Sequence, residues 1–105
     1  MKTLQEKQAP IDFKIVQEIV SLIPENWTEV QMTVERESSG GSENYLIEIV
    51  GPDGYKAPIT PSDEIFTYLF ELSDVFREHG QVWSAIKYIV IKTAGSWRFK
   101  ATFTY

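Results

Sequence analysis

The densest set of reactive groups in this chain is a ladder of carboxylates. Glu71 with Asp74, and Asp74 with Glu78, stand at the spacing that brings side chains together on a helix. Paired carboxylates can hold a cation or divide acid and base roles. No calcium loop of the DxDxDG kind accompanies them, so no metal site is expected. Outward carboxylates at this spacing ordinarily form a solvated face, and they can also meet arginines of a partner. His79 is the single histidine. It stands beside Gly80 at an expected helix end, where its role is to complement the helix dipole. A serine triad would need that histidine, and no GxSxG elbow, HExxH helix or Walker loop is present. Gly40-Gly41 lies between two apolar segments and lacks the lysine and helix that cradle a phosphate, so it reads as a hairpin loop. The chain has no cysteine. That removes disulfides, thiolate zinc and a cysteine nucleophile, and it suits a reducing compartment. The expectation is a protein that is not an enzyme and uses no cofactor.

The elements that position these groups must come from 105 residues, enough for one domain. A hydrophobic fraction of 43% supplies a core. Fifteen acidic residues against ten Lys and Arg leave a formal net charge of −5, and the basic residues are scattered. Nucleic acid and anionic membrane are therefore not expected partners, whereas basic protein surfaces are. No segment approaches the length of an apolar membrane span, and the lysines near Met1 precede no apolar run. A cytoplasmic protein is expected, as a monomer or homodimer. Three Trp, five Tyr and six Phe are many for this length. Those on the last strand form a one-sided row that reads as core.

Residues 1–9 are polar and are expected to be frayed, leaving 10–105 as the domain. From Pro10, Ile11, Ile15, Ile19 and Ile23 recur every fourth residue, with Val16, Val20 and Leu22 widening the stripe into an amphipathic helix that Pro24 stops. Val30, Met32 and Val34 then alternate with polar residues as a half-buried strand. Ser38 to Ser42 reads as a flexible loop. Asn44 to Val50 is apolar on both faces, which suggests a central strand. Gly51-Pro52-Asp53-Gly54 is a turn, with a short strand expected at Tyr55 to Ala57. Thr60 is read as the N-cap of a second helix, with Pro61 at N1 and Asp63 at N3. Its inner stripe is Ile65, Leu69, Leu72 and Phe76, and Gly80 ends it. Trp83 opens a strand to Thr93. The final strand sends Trp97, Phe99, Ala101, Phe103 and Tyr105 one way and Arg98, Lys100, Thr102 and Thr104 the other. The expected fold class is α+β, in the order α-β-β-(β)-α-β-β. It is an antiparallel sheet of four to five strands with two helices packed on one face. No internal repeat is visible.

Leu22-Ile23-Pro24-Glu25-Asn26-Trp27, Phe76-Arg77-Glu78-His79-Gly80 with Trp83, and the alternating run Trp97 to Tyr105 occur in an order that resembles the YezG/EsaG-like immunity (antitoxin) family. The resemblance spans about Ile15 to Tyr105. It implies a non-catalytic protein that binds and neutralises the toxin domain of a cognate secreted effector, often a nuclease, inside the producing cell. The sequence departs from the family where Thr102 and Thr104 stand in places often acidic, so no contact residue carries over from that strand. A nuclease offers a basic groove, which an acidic inhibitor can match. The candidate contacts are therefore Glu29, Glu35 and Glu48 on the strands and Asp63, Glu64, Glu71, Asp74 and Glu78 on the second helix. The competing expectation is a non-catalytic adaptor or chaperone-like subunit that binds a non-toxin protein through the open sheet face. A third is a small enzyme working through two converging carboxylates alone.

Overall fold

The computed structural model describes residues 3–39, 42–52 and 59–105. The elements are α1 (Leu4–Leu22), β1 (Glu29–Ser39), β2 (Ser42–Val50), α2 (Asp63–Glu78), β3 (Ala85–Thr93) and β4 (Ser96–Thr104). All strand pairings are antiparallel, in the order β2-β1-β3-β4. The α+β class and element order agree with the sequence reading. The strand expected at Tyr55 to Ala57, with Asp53 and Gly54 of the preceding turn, lies outside the described residues, as do Gly40 and Gly41.

Helix α1 begins earlier than its apolar period suggests. Thr3 caps it, its hydroxyl accepting the Glu6 N–H at 3.2 Å. Residues 4–9, expected to be frayed, form its first turns. Leu4 packs against the core and Lys7 meets Glu78 at 3.0 Å. Pro10 lies inside the helix and is exposed. It removes one helical hydrogen bond, a local cost of about 3 kcal/mol. The buried stripe of Ile11, Ile15, Val16 and Ile19 supplies the packing that holds the helix through it.

Helix α2 starts two residues later than expected. Ser62 and not Thr60 is the N-cap. The Ser62 hydroxyl accepts the Ile65 N–H at 3.4 Å and donates to Glu18 on α1 at 3.0 Å, so the cap also ties the helices together. At the other end Gly80 has φ +73°, a conformation that favours glycine. The Gln81 N–H reaches the Phe76 carbonyl and the Gly80 N–H the Arg77 carbonyl, which is the Schellman pattern.

The sheet corrects two further expectations. Pairing of β1 with β2 runs to Ser39↔Ser42, so Ser38, Ser39 and Ser42 belong to the strands and not to a loop. And β2, read as central because both its faces are apolar, is an edge of the four-stranded sheet. Its second apolar face does not reach a core, since Leu46 is 52% exposed. The central strands are β1 and β3.

One face of the sheet carries the core. Val30, Met32 and Val34 of β1, Tyr45 and Ile49 of β2, and Ile86, Tyr88 and Val90 of β3 are buried beneath the inner stripes of both helices. The row on β4 faces the same way but is only partly core. Phe103 stacks on Phe76 with ring centroids 5.0 Å apart, while Phe99 remains 38% and Tyr105 68% exposed. An edge strand has helix cover on one flank only.

The fold also contains a repeat that the sequence hides. It is two α-β-β units joined through β1 and β3. The Thr28 carbonyl accepts the Lys92 N–H at 2.8 Å, and the Ser84 carbonyl accepts the Arg36 N–H at 2.9 Å. The same spacing separates Trp27 from Trp83, Thr28 from Ser84, Met32 from Tyr88 and Arg36 from Lys92. Met32 pairs with Tyr88, so an approximate two-fold axis runs through that pair. Of these positions only the tryptophans keep their identity, which leaves little for a sequence comparison to find.

Candidate functional site

The structure divides the eight candidate carboxylates between two sides of the molecule. Asp63, Glu64, Glu71, Asp74 and Glu78 all fall on the exposed side of α2, because its buried stripe of Ile65, Leu69, Leu72 and Phe76 turns that side outward. They form an acidic ridge along the helical layer. Two members have ion-pair partners, Asp74 with Arg77 and Glu78 with Lys7, each at 3.0 Å. Such exposed pairs are worth about 0–1 kcal/mol and leave the ridge acidic.

Glu29, Glu35 and Glu48 lie on the opposite, open face of the sheet. Their side chains alternate with the buried Val30, Val34 and Ile49, and all three are exposed. That face is mixed in charge. Register puts Ile91 between Glu29 and Arg98, and brings Lys87 into line with Thr33 and Glu48. With Lys100, the β3–β4 half is basic. The carboxylates therefore do not make one surface, and the α2 ridge is the more uniformly acidic set.

A ninth carboxylate went unselected. Asp12 is 4% exposed. It accepts the Tyr88 hydroxyl at 2.6 Å and the Gln8 amide at 2.9 Å. Burial raises its carboxyl above the ordinary range, and the two hydrogen bonds offset part of that rise. Burial and the neighbouring carboxylate hold the Tyr88 phenol well above its ordinary value. The pair sits at the centre of the sheet under α1, where it is a satisfied polar contact of the core. The signal was available in the sequence, because Asp12 falls on the same helical stripe as Val16 and Ile19.

His79 is engaged at its own helix end, with Nδ1 3.0 Å from the Val75 carbonyl. Trp83 is buried and stacks on Tyr45 with ring centroids 5.5 Å apart, and its Nε1 has no hydrogen-bond partner. Among the described residues, no three His, Asp or Glu side chains cluster closely enough to hold a metal ion. No described helix is long and apolar enough to cross a membrane.

Apolar residues add a second feature. Phe13 is 55% exposed on α1. With Val16 and Val20 it faces Trp97 and Phe99 of β4 across an open groove of about 520 Å³. Reading the β4 row as core hid this groove. No family model matches the chain, and no curated protein matches it in sequence.

Proposed function

We propose that this chain is a non-catalytic immunity protein that binds the toxin domain of a cognate secreted effector and neutralises it in the cytoplasm of the producing cell. The observation that carries the reading is the acidic ridge of α2. Five exposed carboxylates lie on one side of a capped helix whose other side is anchored in the core. A rigid negative surface of this kind complements the basic groove with which a nuclease holds phosphates, and it gains on-rate and specificity from that match. The resemblance of the Leu22–Trp27 junction, the Phe76–Trp83 segment and the C-terminal strand to the YezG/EsaG-like family supports the same reading.

The test is co-expression with the product of the adjacent upstream gene as the candidate toxin, followed by co-purification and a nuclease assay. The expected result is protection of the cells and a salt-sensitive complex. Reversing charge at Glu64, Glu71 and Asp74 together weakens that complex. Unchanged affinity in the reversed variant removes the ridge as the contact. A stable complex with a different protein, without protection, replaces the immunity reading with an adaptor.

A further inference from the structure

Strand β4 is an edge with an unusual set of neighbours. Only β3 pairs with it, and among the described residues no strand lies along its other side. Its outer row of backbone N–H and C=O groups can therefore accept a further strand, and no proline interrupts Ser96–Thr104. Its two faces differ in chemistry. Towards the helices, Trp97 and Phe99 border the open groove whose far wall is Phe13, Val16 and Val20 of α1. Towards the open sheet face stand Arg98 and Lys100, both exposed, and β4 carries no carboxylate at all.

The geometry points to β4 as a docking edge for an extended segment of a partner protein in which apolar and acidic residues alternate. Side chains of an added strand point alternately to the two faces of the sheet. One set enters the groove beside Phe99 and must be apolar. The other lies beside Arg98 and Lys100 and is matched by carboxylates. The same charges argue against a second copy of this chain joined β4 to β4, because that pairing brings together two strands that are both basic. This surface is separate from the α2 ridge and does not rest on the toxin reading.

The probe is a blocked heptapeptide, Glu-Val-Glu-Phe-Glu-Val-Glu, titrated into the ¹⁵N-labelled chain, with its lysine counterpart as control. Expected are shifts and slowed amide exchange confined to β4 and to α1 around Phe13 to Val20, and a preference for the acidic peptide that fades with salt. Arg98→Glu with Lys100→Glu weakens the acidic peptide about tenfold and confers binding of the lysine peptide. Phe99→Ser weakens both. If the reversed variant does not fold, Arg98→Gln with Lys100→Gln is used instead, and it should remove the preference between the two peptides without reversing it. Three results overturn the proposal: equal binding of the two peptides, no binding at millimolar peptide, or shifts centred on α2. So does concentration-dependent self-association that protects the β4 amides without peptide, since the occupant is then a second copy.

Discussion

Replacing Gly51 with alanine sets a new Cβ 2.6 Å from Cη2, 2.8 Å from Cζ2 and 2.9 Å from Cζ3 of the Trp27 ring. Carbon atoms in contact prefer about 3.5–4.0 Å, so the ring or the strand end must move. Trp27 is packed against the core and its ring is rigid. The expected cost is that of overpacking, about 1–3 kcal/mol. Gly51 does not adopt a positive φ, so without the ring the same substitution stabilises by about 0.4–1 kcal/mol through the unfolded chain. In a Trp27→Leu background, which removes the distal ring atoms, Gly51→Ala should therefore change sign. A double-mutant cycle by urea unfolding, followed by far-UV circular dichroism, should yield a coupling of about 1.5–4 kcal/mol. The intrinsic cost of Trp27→Leu cancels in the cycle. Equal effects of Gly51→Ala in both backgrounds would refute the close approach. In that case Trp27 has some role other than closing on the end of β2.

Asp12→Asn tests the buried carboxylate. With a folded pKa above the ordinary 3.8, wild-type stability is full below that value and falls as pH rises through the folded pKa, since the unfolded chain gives up its proton first. The variant lacks this titration, and its Oδ1 can still accept the Tyr88 hydroxyl. Its stability relative to wild type should rise with pH above about 4, and a difference that is flat from pH 3 to 7 in urea unfolding contradicts the assignment. Tyr45→Phe breaks the buried 2.6 Å hydrogen bond to the Ser73 hydroxyl. It should cost about 1–2 kcal/mol, part of which Ser73→Ala restores; denaturation midpoints of the single and double variants decide it. Gly80→Ala meets no atom within 4 Å but keeps φ +73°. Its expected cost of about 1–2 kcal/mol is purely conformational, and Gly80→Asn should cost less in the same melts.

Local chemistry made much of this protein legible in its sequence. The Ile11–Ile15–Ile19 period, the alternation in β1, β3 and β4, the stop at Pro24 and the glycine after α2 each express forces acting within a few residues. They were enough for the class and order of elements, and for the absence of thiol chemistry. The errors fell where distant parts of the chain compete. Thr60 and Ser62 are both competent caps, and Ser62 also reaches Glu18 on the other helix. Pro10 opposes a helix locally, but packing of the buried α1 stripe keeps the helix intact around it. The two apolar faces of β2 suggested a centre, yet strand order depends on which hairpin meets which, and that placed β1 and β3 inside.

The same division holds for the surfaces. The sequence by itself determined that carboxylates outnumber cations, that five of the eight candidates belong to one helix, and that Arg98 and Lys100 alternate with aromatics. Only the tertiary structure decided that the strand and helix carboxylates lie on opposite sides. It alone left Phe99 open at an edge and brought α1 beside it to form a groove. A residue's type and period decide which way it turns within its element; what stands across from it depends on contacts between segments far apart in the chain.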